Sequence, residues 1–241
     1  LGNLAFSENI TVAMHDADST TSSDNRLAAA GEYYLNAMTS NGTPTHQTVK
    51  NIAAQFDTKL SGSKSIIQYA CQRNSMFIVT DGFSNTTSIS VPSYDASTYG
   101  SAAPYTTTPT GSLADLALSY YTNRLRTDLP AGKLPASSST APNADLNTNL
   151  HVNTYAITLG VRGSLWPNTV DPYVTAPSWP TPVADDPSMI DDQWHATING
   201  RGKMYLATNP EETAASIKAG LDDILSQVSA QGALAVSTVN L

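Results

Sequence analysis

The sequence predicts an α/β fold: a mostly parallel central sheet with helices on both faces and long loop insertions. Three observations carry this. Segments of strand and helix character alternate along the chain. Residues 76–80, Met-Phe-Ile-Val-Thr, form the continuously apolar run that a strand covered on both faces requires. Asn209-Pro210 opens an amphipathic helix with proline at its favoured first position.

In chain order, residues 10–14 (Ile-Thr-Val-Ala-Met) are short, β-branched and apolar, which predicts a strand. A polar stretch from Asp16 to Asn25 follows, with Asp24 placed to cap the next helix. Over 26–38, Leu27, Ala30, Tyr34 and Leu35 recur at helical spacing, and Gly42 with Pro44 ends the run. A second helix over 45–60 carries Val49, Ile52, Ala53 and Phe56 on one face and closes at Gly62. Strand 76–80 stops abruptly at Asp81-Gly82. Residues 84–110, rich in Ser, Thr, Pro and Tyr without a period, read as a long surface loop.

Ser112 caps a helix running to about Arg126 on Leu113, Leu116, Ala117, Tyr120 and Tyr121, and a Pro/Ser/Ala/Asn loop fills 130–149. Residues 151–159 form a second internal strand that ends at Gly160. Trp166, Trp179 and five prolines make 163–188 a loop again. A short helix over 190–198 is closed by the cap Asn199-Gly200, a short strand covers 203–207, and the last helix runs from Pro210 to about Val228. There is no internal repeat. One domain is expected over 1–230, with 231–241 leaving it.

Composition narrows the function classes. Charged residues are 13% of the 241, against about 25% in an ordinary soluble domain. A net charge of −8 and no basic patch argue against a nucleic-acid phosphate binder. No apolar run approaches the ~20 residues of a membrane helix, so no membrane insertion is expected. The polar, weakly charged, Ser/Thr/Asn-rich surface leans towards a secreted or cell-surface setting. Cys71, the one cysteine, is buried, free, or paired with a cysteine outside this stretch. An opening at Leu1 without a signal-like leader is expected of a piece of something longer.

Asp81 is the sharpest candidate for chemistry. A buried strand that delivers an aspartate and then a glycine places a carboxylate where open α/β sheets bind ligands; the alternative is that Asp81 only caps the turn. Asp16-Ala17-Asp18-Ser19-Thr20 spells the DxDxT of aspartate-based phosphatases, but the downstream lysine and paired acids of that chemistry are not evident. Asp191 and Asp192 precede His195 by four and three residues, a spacing that can orient an imidazole, yet no serine sits in a G-x-S-x-G turn. The expectation is therefore that Trp194 packs its helix on the sheet and His195 makes a local hydrogen bond. The aromatic loops 84–110 and 163–188 read either as contact surfaces or as elaborations of the fold.

Four ordered runs add a family. Tyr69-Ala70-Cys71-Gln72-Arg73-Asn74 with the strand and Asp81-Gly82 is the first, and Gly111-Ser112-Leu113-Ala114-Asp115-Leu116-Ala117 with Tyr120-Tyr121 and Leu125-Arg126 the second. Tyr155-Ala156-Ile157-Thr158-Leu159-Gly160 is the third. The most specific is Ile190-Asp191-Asp192-Gln193-Trp194-His195-Ala196-Thr197-Ile198-Asn199-Gly200-Arg201-Gly202-Lys203-Met204-Tyr205. Together they resemble the von Willebrand factor A-like domain of PilY1-type proteins, the tip adhesins of bacterial type IV pili, over roughly residues 25 to 240.

The resemblance implies a metal-ion-dependent adhesion site in which a divalent Mg²⁺ or Ca²⁺ sits above the sheet on hard oxygen ligands. Asp81 matches the aspartate that follows the fourth strand of such domains. No strict DxSxS is present; Asp18-Ser19-Thr20-Thr21-Ser22 reads as a degenerate DxTxS, and Asp24-Asn25-Arg26-Leu27-Ala28 departs from the family's Thr-Pro-Leu-Ala. The resemblance further implies a non-enzymatic adhesion and assembly module at the pilus tip, exported through the periplasm to the cell surface. Its partners would be minor pilins and a surface or host ligand. A partner for Cys71, a missing first strand and a C-terminal β-propeller would lie in sequence beyond this chain. The alternatives are a purely structural assembly module whose metal site is lost, and an enzyme of the DxDxT type.

Overall fold

A computed structural model describes residues 20–22, 25–36, 43–59, 65–100, 102–168 and 170–236, with side chains at all of these except 33–36 and 227–236. The strand expected over 10–14, the acidic residues Asp16 and Asp18, and Asp24, Gly42 and Gly62 lie outside them. The described elements are α1 (Arg26–Asn36), α2 (Thr45–Phe56), β1 (Ser75–Thr80), α3 (Leu113–Thr122), β2 (Asn153–Leu159), α4 (Ser188–Asn199), β3 (Arg201–Ala207) and α5 (Pro210–Val236).

The three strands form one parallel sheet in the order β1-β2-β3. Thr80 pairs with Thr158 and Thr158 with Leu206, so all three strands finish at one edge, where Asp81, Gly160 and Thr208 follow them. Parallel neighbours need a long crossover. Here α3 lies in the first crossover and α4 in the second.

Strand alternation sorts the sheet into two faces. Met76, Ile78, Ala156 and Met204 enter the main core with Leu113, Leu116 and Ala117 of α3, Ile190, Trp194 and Ile198 of α4, and Val49, Ala53 and Phe56 of α2. Leu113, Leu116 and Leu118 are each at most 1% exposed, contributing about 2 kcal/mol apiece through burial. Phe77, Tyr155 and Tyr205 turn to the other face, under α5. Phe77 stacks on Tyr155 with ring centroids 5.1 Å apart, and a Cβ at Gly220 would stand 2.6 Å from the Phe77 ring. Tyr155 Oη donates to Asp223 Oδ2 at 2.9 Å, fastening the helix.

This second face corrects one expectation. β1 is buried on one side only: Val79 is 51% exposed. β1 is the edge of the described sheet, and α5 reaches it at Phe77 while packing mainly over β2 and β3. Helix α1 differs too. Asn25 Oδ1 accepts from the N–H groups of Leu27 and Ala28, each at 3.0 Å, so Asn25 supplies the cap. Leu27 and Ala30 are exposed while Ala29 is buried, so the strip facing the protein is not the one the apolar spacing marks. Helix α3 starts as expected, with Ser112 Oγ accepting from Asp115 N–H at 3.1 Å. It ends at Thr122, short of Arg126, because Asn123 is extended (ψ 136°). At the far end of the chain, α5 continues past Val228 to Val236.

Candidate functional site

The carboxyl edge of the sheet holds Asp81, exposed at the tip of β1. The turn beneath it is closed by Thr80, whose Oγ1 donates to Gly82 O at 2.9 Å and accepts from Gly82 N–H at 3.3 Å. The loop before α2 comes to the same place. Asn85 N–H donates to Thr43 O at 3.0 Å, and Thr43 Oγ1 would lie 3.8 Å from a Cβ on Gly82. The Asp81 carboxylate and the Thr43 hydroxyl thus flank the same backbone-braced turn, and both are hard oxygen donors of the kind that Mg²⁺ and Ca²⁺ take. Asp18 and Ser19 of the DxTxS run lie outside the described residues, and Thr20 to Ser22 are exposed. Among the described residues no group of three or more His, Cys, Asp or Glu gathers to hold a metal.

Thr43 is not among the residues that the resemblance marks, because the segment compared with the family's Thr-Pro-Leu-Ala is 24–28, before α1. Its signal is the Thr43-Pro44 pair directly before α2, the helix that abuts the Asp81 turn.

Buried hydrogen bonds hold that platform still. His46, fully buried in the first turn of α2, donates from Nε2 to Asp192 Oδ2 at 2.8 Å, and its Nδ1 lies 3.2 Å from Ser84 Oγ. Asp192 of α4 also accepts from Leu113 N–H at 2.8 Å and Ala114 N–H at 3.1 Å, the open N-terminus of α3. One carboxylate therefore joins α2, α3 and α4. Serine, histidine and aspartate stand in line as in a hydrolase triad. However, Ser84 is 0% exposed and its hydroxyl is donated to Thr86 O at 2.9 Å, so no substrate reaches it.

Asp191 has a parallel duty. Its carboxylate accepts from the backbone N–H of Ser164 (2.9 Å), Leu165 (2.9 Å) and Trp166 (3.0 Å), pinning the start of the 163–188 loop. A side chain at Gly163 would collide with that carboxylate, which explains the glycine. Neither aspartate orients His195. The expected local hydrogen bond of His195 gives way to a stack: its ring lies flat on Trp179 at 4.0 Å, and Nε2 is buried with no partner among the described residues. Burial lowers its pKa to about 4, against the pull of Asp192, so the ring is neutral at pH 7. Trp194 joins the core and is also flanked by Trp166 and Trp179, at 5.6 and 5.1 Å between centroids. The loop tryptophans face inward onto α4, and Tyr94 donates to buried Asp115, so these aromatics of the two long loops pack within the domain.

Asn199-Gly200-Arg201-Gly202 does end a helix: Gly200 N–H reaches Ala196 O at 2.9 Å. The glycines answer a second need, close approach to β2. A Cβ at Gly200 would be 2.6 Å from Thr154 Cβ, and one at Gly202 would strike Thr154 O. Between them Arg201 takes φ 57° and sends its side chain between Tyr105 and Tyr121. Nearby, Asp145 is fully engaged by His151 Nε2 at 3.0 Å, Tyr121 Oη at 3.0 Å and Arg73 Nη1 at 2.9 Å. Its burial would raise the pKa, but these partners outweigh it and hold the carboxyl at about 2. Cys71 is exposed, and this chain holds no second cysteine to pair with it.

Three known proteins are similar to this chain. The type IV pilus biogenesis factor PilY1 of Pseudomonas aeruginosa strain PAO1 is 27% identical over 225 residues, covering 78% of this chain and 19% of PilY1. PilY1 of strain PAK is 26% identical with the same coverage, and that of strain UCBPP-PA14 is 24% identical over 229 residues, 82% of this chain. The chain therefore spans about a fifth of the length of the curated relatives it matches. No family model and no solved structure matches it. The PilY1-type resemblance read from the four sequence runs is supported by these relatives. Among the described residues, no helix is long and apolar enough to cross a membrane.

Proposed function

We propose that this chain is a von Willebrand A-like domain of a PilY1-type pilus protein, acting as a non-enzymatic adhesion and assembly module at the pilus tip on the cell surface. The observation that carries the reading is the similarity to a type IV pilus biogenesis factor over 78% of the chain. The parallel α/β sheet with an aspartate exposed at its carboxyl edge supports the domain type.

In this reading Asp81 and Thr43 supply part of the shell of a Mg²⁺ or Ca²⁺, and a carboxylate of the bound partner completes it. The work of the remaining buried polar groups is rigidity. Asp192 and His46 keep α2, α3 and the Asp81 turn in fixed relation, so the platform is preorganised before a ligand arrives. Minor pilins and a surface or host ligand are the proposed partners.

The test uses the full-length protein carrying Asp81→Ala in cells that lack their own copy. Surface pili should persist at normal number while attachment to a surface falls at least several-fold. Loss of pili as well as attachment would favour a second reading, a structural assembly module without a metal. The lack of a strict DxSxS run in the sequence is the observation that favours that alternative.

A further inference from the structure

At the amino edge of the sheet, opposite Asp81, a pocket of about 170 Å³ opens between the loop around 98–105 and the loop around 142–146. Thr98, Tyr99, Ala102, Tyr105 and Leu146 form its walls and mouth, with Tyr121 and Arg201 deeper. Two phenols tie the rims together: Tyr105 Oη donates to Pro142 O at 2.8 Å, and Tyr99 Oη to Asn147 Oδ1 at 3.4 Å. The walls are therefore built in advance of any occupant.

Arg201 lines this pocket and is 5% exposed. Its guanidinium carbon sits 3.4 Å from the Tyr105 ring centroid and 4.4 Å from that of Tyr121. Nη1 donates to Asn199 O at 2.8 Å and Nη2 to Tyr99 O. Two neutral carbonyls do not use all the donors of a guanidinium, and they carry no compensating charge. A buried cation ordinarily has an anionic partner. Among the described residues no ion pair reaches Arg201, and Asp145 is already committed to Arg73 and His151. The chain as a whole is strongly acidic, with 20 acidic residues against 12 basic, so an unpaired guanidinium on a pocket wall is conspicuous.

We propose that this pocket binds the carboxylate of an acidic monosaccharide, free or at the end of a glycan. A single planar guanidinium matches a singly charged carboxylate, whose two oxygens fit its fork. Tyr99, Ala102 and Leu146 at the mouth offer apolar surface for a sugar ring, and the phenol oxygens, whose protons are already donated to the rims, can accept from its hydroxyls. The cavity is of the size of one ring. This site is on the opposite edge of the sheet from Asp81 and does not rest on the metal or on the pilus reading.

The experiment titrates the whole chain with glucuronate, glucose and acetate at pH 7 by calorimetry, beside Ala102→Trp and Arg201→Lys. Ala102 is exposed at the mouth, so a tryptophan there blocks entry without disturbing the core. Glucuronate should bind saturably and about tenfold or more tightly than either glucose or acetate, the margin a charge-assisted bidentate contact supplies. Ala102→Trp should remove that binding at an unchanged melting temperature. Arg201→Lys, which keeps the charge but loses the fork, should weaken it. Because Arg201 is also packed in the core, Ala102→Trp decides the matter if the lysine variant does not fold. Glucuronate no tighter than glucose, acetate as tight as glucuronate, or undiminished binding by Ala102→Trp would each overturn the proposal.

Discussion

Replacing Asp192 by alanine removes a carboxylate that is 3% exposed and strands three donors: the Nε2–H of His46 and the N–H groups of Leu113 and Ala114. A buried donor left unsatisfied costs about 1–3 kcal/mol, and breaking a buried charged contact about 3–5 kcal/mol. The three sites share one carboxylate and are not additive, so a loss of about 4 kcal/mol is expected. At about 2–4 °C per kcal/mol for a chain of this size, the melting temperature should fall by about 8–16 °C. Asp192→Asn keeps the shape and one acceptor oxygen and should lose roughly half as much. Urea unfolding followed by the fluorescence of Trp194 and its neighbours gives the free energies independently. A melting temperature within about 2 °C of wild type in Asp192→Ala would show that Asp192 does not join the three helices energetically, since a free-energy loss of that size then could not exist.

Three further outcomes follow from the same structure. The folded-state pKa of His195 lies below the unfolded value of about 6.5, so between pH 6.5 and 4 the unfolded chain binds the extra proton. The stability His195 contributes is then complete above about pH 6.5 and falls as the pH drops towards 4, by a total on the order of 3 kcal/mol. His195→Phe preserves the stack on Trp179 and should flatten that part of the stability–pH curve; an unchanged slope contradicts the assignment. Gly202→Ala drives a methyl into Thr154 O where β2 meets β3 and should cost about 3 kcal/mol in urea unfolding. In contrast, Leu27→Ser, at a position 76% exposed, should change stability by less than about 0.5 kcal/mol, and a larger loss would show that α1 is covered there.

Local signals in the sequence match the structure where one element carries its own reason. The Ser112 cap, the apolar stripe of α3, the proline at the head of α5 and the aspartate-terminated β1 are properties of a few adjacent residues. What was not legible depends on residues far apart. Val79 is exposed because of where α5 packs, which no pattern within 76–80 records. Asp191 and Asp192 looked like partners of His195 by helical spacing, but they serve amides 25 to 79 positions away in the chain. The candidate site was half visible. Asp81 stood out through its strand, whereas Thr43 comes to the same turn only through the loop before α2, and the Arg201 pocket is assembled from two loops, α3 and β3 with no shared motif.

We propose that the carboxyl edge of the sheet holds a divalent cation through Asp81 and Thr43. The direct measurement is the melting temperature of the chain in EDTA and then in millimolar Mg²⁺, Mn²⁺ or Ca²⁺, beside Asp81→Ala and Thr43→Ala. At 100 times the dissociation constant, bound metal adds about 2.7 kcal/mol, or about 5–10 °C here. Such a shift is expected in wild type, with its disappearance in Asp81→Ala and its reduction in Thr43→Ala. No shift with any of the three ions, or the same shift in all three proteins, would contradict it.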